Sequence, residues 1–278
     1  MNPAPLIENK DLRVARCRHG LMLYSVNDVF IGRSLALYGE YCEEEAALYR
    51  SLLREGDIVI EAGANIGCFT LVLAGTVGAK GAVLAFEPQR QVFQMLCANL
   101  ALNGVANVRT WQAGLGAAAG QLTVPPVNYR KAGNFGGISL TEAGQGERVA
   151  IATIDSLGLG RCSLIKIDVQ GMEGEVLRGA QATIEKTRPV LYVENDLKEK
   201  SPALIQQLFE LGYRLYWHLP RLFSEQNYFG NAENVFVSKS EKGLLQRLNI
   251  NMLGLPKSDT RQVRLREITS PDDWWRAA

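Results

Sequence analysis

Short apolar runs alternate with helix-like stretches from about Ile58 onward. Ile58-Val59-Ile60 reads as a buried strand core and Gly63 onward as a glycine-bearing turn. Cys68 to Val77 follows as a helix and Ala82 to Phe86 as a second strand. Gln91 to Leu102 reads as a helix that stops near Asn103-Gly104, a good C-terminal signal. Asn107 to Trp111, Ser163 to Val169 and Pro189 to Glu194 supply three more strands. Helices are predicted from about Met172 to Gly179 and over Pro202 to Leu211, the latter capped by Ser201. Tyr213 to Trp217, expected at a sheet edge, and Asn234 to Ser238 close the pattern as strands. Such alternation predicts an α/β chain, a mostly parallel sheet with helices on both faces.

Around this body, residues 1–55 read as an N-terminal extension: a hairpin over Leu12 to Ser25, turning near His19-Gly20, then a helix over Glu43 to Arg54. Residues 56–240 form the main domain, with short strands and a long loop expected in the Gly-rich stretch 114–148. Residues 241–278 read as a C-terminal tail with a short helix around Leu244 to Leu248. Its Asp272-Asp273-Trp274-Trp275 is expected to dock on the body or on a partner.

Composition narrows the function. The 278 residues are 47% hydrophobic, enough for a full core. Lys plus Arg number 30 against 29 Asp plus Glu, a net charge of +1. That balance excludes the basic excess of a nucleic-acid binder and the polybasic face of a membrane-surface protein. No apolar run approaches the roughly 18 residues of a membrane span. The opening Met1-Asn2-Pro3-Ala4-Pro5 lacks a basic-then-apolar leader. Five scattered cysteines, Cys17, Cys42, Cys68, Cys97 and Cys162, lack a C-x-x-C pair. They point to reduced thiols in a cytoplasmic protein. An oligomer is compatible with all of this.

The chemistry begins at Glu61-Ala62-Gly63-Ala64-Asn65-Ile66-Gly67, between a strand and a helix. Gly63 allows a sharp turn, Gly67 a close approach to a ligand, and Asn65 tolerates positive φ. The following helix offers free N–H groups to a polar or anionic ligand. Glu87, in Ala85-Phe86-Glu87-Pro88, ends the next strand 20 residues after Gly67. An acid there accepts hydrogen bonds from both ribose hydroxyls of an adenosine. NAD and S-adenosylmethionine both fit, but G-x-N-x-G leans away from the pyrophosphate loop of a dinucleotide.

With these residues the chain resembles the FkbM-type methyltransferases over about residues 39 to 240. The resemblance rests on Gly56-Asp57, the turn from Glu61 to Gly67, Phe86-Glu87-Pro88, Asn134-Phe135-Gly136-Gly137, Thr153-Ile154-Asp155-Ser156-Leu157, and Ile165 to Glu173. The last is the most specific, because the family commonly shows K-I-D-V-E-G-x-E; here Gln170 replaces the first Glu. Glu61 stands where many members have Asp. The resemblance implies a Rossmann-like class I methyltransferase fold: a seven-stranded sheet with a reversed final hairpin. It implies S-adenosylmethionine as cofactor and methyl transfer to oxygen, on a saccharide or natural-product hydroxyl. Glu61, Gly63, Ala64, Asn65 and Gly67 would then line the methionine end. Glu87, followed by Pro88, would hold the ribose, Gln112 and Ala113 would flank the adenine, and Asp168 would sit near the sulfonium. A nucleotide-cofactor oxidoreductase and an inactive cofactor-binding partner protein are the alternatives.

An acceptor hydroxyl attacks better when a base takes its proton. Asp168 and Glu194, ending neighbouring strands, are the first candidates, and Lys166 in a central strand needs a carboxylate partner. His218 is the third candidate, with a suitable ordinary pKa; His19 reads as a turn residue. Glu173 starts a helix, where capping competes with catalysis. Asp168, Glu173, Glu194 and Asp196 offer hard oxygens to a divalent metal, although scattered carboxylates do not favour one. Arg130, Lys131 and Asn134, with Tyr228, Phe229 and Asn231, lie in loops suited to choosing a small-molecule or saccharide acceptor.

Overall fold

Eight strands make the central sheet of this structure, a computed structural model that describes residues 5–142, 144–240 and 243–276. In chain order they are β1 Ile58–Ala62, β2 Ala82–Phe86, β3 Val108–Trp111, β4 Leu164–Ile167, β5 Val190–Glu194, β6 Tyr213–His218, β7 Asn251–Pro256 and β8 Arg266–Ile268. Their order across the sheet is β8-β6-β7-β5-β4-β1-β2-β3. Neighbours from β3 to β5 are parallel, while β7 runs antiparallel to both β5 and β6. This is the class I arrangement that the resemblance implied, with one more edge strand. The strand order reverses between β1 and β4, so their carboxyl ends flank the crevice where open α/β sheets bind ligands.

The strands form where both faces can be covered. β4 and β5 are buried throughout apart from Glu194, which is half-buried. One face packs under Tyr49, Phe69, Leu73 and Leu96; the other under Val176, Leu177, Ile205 and Leu208. Helix Cys68–Val77 follows β1, and helix Arg90–Leu102 follows β2. The N-terminal hairpin, Leu12–Cys17 with Gly20–Ser25, turns at the expected place. It is stitched to the second helix through side-chain amides: Leu23 N–H donates to Asn99 Oδ1 at 2.6 Å and Leu21 N–H to Asn103 Oδ1 at 2.8 Å. Helices Ile31–Tyr38 and Glu43–Leu52 complete the extension. The Gly-rich stretch folds as a small sheet of Ala113–Leu115, Gly120–Val124 and Glu147–Ala152.

The C-terminal third differs from expectation. Residues 241–278 are not a tail, because they supply β7 inside the sheet and β8 at its edge. Val237–Ser240 instead pairs with Gly243–Gln246 in a separate hairpin, so no helix forms around Leu244. β6 lies inside the sheet, covered on its outer side by β8. Ser201 does not cap its helix; its hydroxyl accepts from Asn195 Nδ2 at 2.9 Å. The terminal tryptophans do meet the body. Trp274 stands edge-on to Trp217 with ring centres 5.8 Å apart, and Arg266 Nη1 lies 3.0 Å from Asp273. Trp274→Ala should cost about 1–2 kcal/mol, from the lost ring pair and part of its area. Amides of β8 should then exchange faster; unchanged exchange would mean that β8 is held by its own ladder alone.

Candidate active site

The cleft opens at the carboxyl ends of β1, β2, β4 and β5. Its main cavity has a volume of about 290 Å³ and is walled by Gly63, Ala64, Asn65, Glu87, Asp168 and Glu194, among others. A narrower apolar lobe continues beside it, lined by Phe86, Pro88, Ala113, Leu115, Leu140 and Met172. Gly63, Glu87, Gly136, Asp168 and Gln170 border both.

The β1 turn is shaped by close backbone approach. Gly63 has φ +81°, and a Cβ there would lie 1.8 Å from the carbonyl oxygen of Asp168. Asn65 takes the positive φ expected of it, +51°. Its N–H donates to Glu87 Oε2 at 3.0 Å, and Gln89 N–H donates to Glu87 Oε1 at 2.9 Å. Glu87 is therefore fixed and nearly enclosed. Burial pushes its carboxyl up to about 7, against the pull of those two N–H groups.

The acids of β4 and β5 meet as predicted by their neighbouring strands. Gln170, at φ +56°, donates from Nε2 to Asp168 Oδ1 at 3.2 Å and to Glu194 Oε2 at 2.8 Å. A glutamate at this position would add a third carboxyl group, whereas the amide donates to both acids and so suits the pair. Glu194 is held well above the usual carboxylate range by burial and by the charges of Asp168 and Asp196, and lies within hydrogen-bond reach of Asp168. Lys166 Nζ lies 3.3 Å from Asp168 Oδ2 and 3.4 Å from the Gly63 carbonyl. Burial works against the Lys166 charge, but Asp168, Glu61 and Glu45 outweigh it and raise its pKa.

Several expected site residues stand elsewhere. Glu61 is fully buried below the cavity wall; its Oε2 accepts from Thr70 Oγ1 at 2.6 Å. Gly67 faces packing rather than ligand, since a Cβ there would lie 2.8 Å from Leu96 Cδ1. Gln112 turns away to Glu147, with Nε2 3.1 Å from Oε1. His218 is not at the cavity: it pairs through Nδ1 with Tyr192 Oη at 2.7 Å, and burial lowers its pKa to about 4. It pairs with Asn251 of β7 and does not line the cavity, so it is not placed as the base. Glu173 accepts the Gly171 N–H at 2.9 Å, a helix-start role. His19 bonds Glu43 at 2.6 Å in the hairpin turn. Of the loop residues, Asn134 borders the cavity, whereas Arg130, Lys131, Tyr228, Phe229 and Asn231 do not. Asp196 is at the cavity, yet among the described residues no three His, Cys, Asp or Glu side chains are grouped to hold a metal.

Other wall residues were not foreseen. Phe30 and Tyr41 come from the N-terminal extension, and Arg247 and Asn249 from the segment before β7. Asn249 Nδ2 donates to Tyr41 Oη at 3.4 Å, tying the two segments together. Glu45, on helix Glu43–Leu52, is buried near Lys166 and accepts from Tyr49 Oη at 2.5 Å. Burial pushes it up to about 7. No local pattern marks these residues, because their roles depend on long-range packing.

A family profile described as the methyltransferase FkbM domain matches residues 61–215, more than half of the chain. The chain belongs to the FkbM methyltransferase family. Among relatives of this FkbM chain, Methyltransferase sdnD of Sordaria araneosa is 30% identical over 46% of this chain and 61% of its own. Methyltransferase 1 of Beauveria bassiana is 31% identical over 45% of this chain and 59% of its own. The FkbM chain thus spans about three fifths of the length of these relatives. The solved methyltransferase FkbM of Methylobacillus flagellatus is 16% identical, with a TM-score of 0.47, over 75% of this chain and 50% of that one. No helix among the described residues of this FkbM chain is long and apolar enough to cross a membrane.

Proposed function

We propose that this chain is an S-adenosylmethionine-dependent O-methyltransferase, acting on a hydroxyl of a saccharide or natural-product intermediate in the cytoplasm. The observation that carries the reading is Asp168, which stands where the two lobes join, paired with Lys166 and bridged to Glu194 by Gln170. The cofactor, when bound, supplies a methyl group already activated by its positive sulfur. The cleft suits it: Glu87 faces both lobes with spare lone pairs for the ribose, and the apolar lobe beside Pro88 and Ala113 suits the adenine. Asp168 takes the acceptor proton, and Asn134, Glu194 and Asp196 hold neighbouring hydroxyls. Much of the rate comes from that positioning.

Calorimetric titration with S-adenosylhomocysteine, beside NAD and the Glu87→Ala variant, tests this. The expected result is micromolar binding of S-adenosylhomocysteine, weakened by about 1.5–3 kcal/mol in the variant as charged hydrogen bonds are lost. The carboxylate form of Glu87 accepts more hydrogen bonds than the neutral acid. Affinity of the wild type should therefore rise up to about tenfold from pH 6 to pH 8, through the Glu87 pKa of about 7. Binding of NAD instead would favour the oxidoreductase, and a flat pH profile would remove Glu87 from the ribose.

A further inference from the structure

We propose that the acceptor is a phosphate ester, held by an arginine-lined groove that continues the cleft; this rests on the methyltransferase reading above. The groove has a volume of about 490 Å³ and shares Phe30, Arg247, Leu248 and Ile250 with the main cavity. The two spaces are thus adjacent, close enough for the two ends of a single ligand. The two spaces differ in charge. The cleft carries Glu87, Asp168, Glu194 and Asp196 together with Lys166 and the shared Arg247, whereas the groove is lined by Arg33, Arg247 and Arg276 and by no acid among the described residues.

These arginines come from three distant parts of the chain: helix Ile31–Tyr38, the segment before β7, and the stretch after β8. None of them is in an ion pair among the described residues. All three side chains are exposed to an incoming ligand, and Arg247 also acts on the Asp196 carboxyl where the two spaces meet. Two of the guanidiniums lie against rings: Arg247 Cζ is 4.3 Å from the centre of Phe30, and Arg276 Cζ is 4.5 Å from that of Trp275. Stacking fixes the plane of a guanidinium and leaves its N–H edge free, the geometry that suits phosphoryl oxygens. Phe236, 6.3 Å from Phe30 between ring centres, adds an apolar floor for the group the phosphate carries. The hydroxyl end of the ligand then lies among the carboxylates and amides near Asp168, and the phosphoryl end among the arginines.

The test titrates the protein saturated with S-adenosylhomocysteine with inorganic pyrophosphate, and with malonate as a carboxylate control. Pyrophosphate should bind more tightly than malonate, and at least tenfold more weakly to the Arg33→Gln/Arg276→Gln double variant. S-adenosylhomocysteine affinity should be the same in both proteins. Pyrophosphate binding that matches malonate, or that ignores the double variant, overturns the proposal. Glucose 1-phosphate and dodecyl phosphate, titrated the same way, separate a soluble ester from a lipid-linked one; binding of neither also overturns it. Should S-adenosylhomocysteine itself fail to bind, the methyltransferase reading falls, and pyrophosphate titrated into the unliganded protein still decides the groove.

Discussion

Asp168→Asn is expected to slow methyl transfer about 10²–10⁴-fold, the range for loss of one general base. S-adenosylhomocysteine affinity should stay close to that of the wild type. Asparagine keeps the shape and can still accept from Gln170, which holds Asp168 Oδ1 at 3.2 Å. It cannot take a proton from a hydroxyl. The measurement is transfer of labelled methyl from the cofactor under single-turnover conditions, with thermal unfolding recorded on the same samples. A variant that loses its fold along with its turnover would make Asp168 a structural partner of Lys166. Unchanged turnover would mean that positioning alone carries the reaction.

The elements legible in the sequence are those whose signals are local. Cys68–Val77 is found as a helix because ten residues without Pro follow a glycine turn, and β1, β2, β4 and β5 because each is a short apolar run. β7 fails this test. Its sequence, Asn-Met-Leu-Gly-Leu-Pro, holds a glycine and ends in proline, which reads as a loop. Only the slot between β5 and β6 makes it a strand. There Gly254 packs so closely that a Cβ would lie 3.3 Å from Leu191, Leu215 and Tyr213. That slot is a tertiary fact, and it moved the final hairpin from Asn234–Ser238 to Asn251–Pro256.

The site divides in the same way. Gly63, Asn65 and Glu87 are separated by short stretches of chain, so spacing alone brings them together. Glu61 and Gly67 lie in the same motif, yet one points below the wall and the other into Leu96. A motif fixes the path of the backbone and leaves open which side chains reach the ligand. His218 misled for a related reason: an ordinary pKa near neutrality suggests a base, but burial beside Tyr192 takes that pKa to about 4. The wall formed by Tyr41, Arg247 and Asn249 joins segments about 200 residues apart, beyond any local signal.

Lys166→Met should destabilise the protein by about 3–5 kcal/mol at pH 8, the cost of leaving buried carboxylates without their cation. The stem of the side chain is kept, so the loss is mainly one of charge. Glu61 is the direct neighbour of Lys166 across the β1–β4 pair, and Glu45 approaches from the N-terminal extension. Burial raises both to about 7, with Lys166 pulling the other way. Acids raised in the folded state bind more protons folded than unfolded. Wild-type stability from this pair is therefore full below about pH 4.5 and is lost as pH rises through about 7. Without Lys166 both acids rise further, so the loss is larger and continues to higher pH. The gap between wild type and variant should be smallest at pH 5, where the lost Lys166–Asp168 contact still counts, and widen steadily to pH 8. Urea midpoints across that range decide the matter. A gap that does not change with pH would mean that the two glutamates are not electrostatically tied to Lys166.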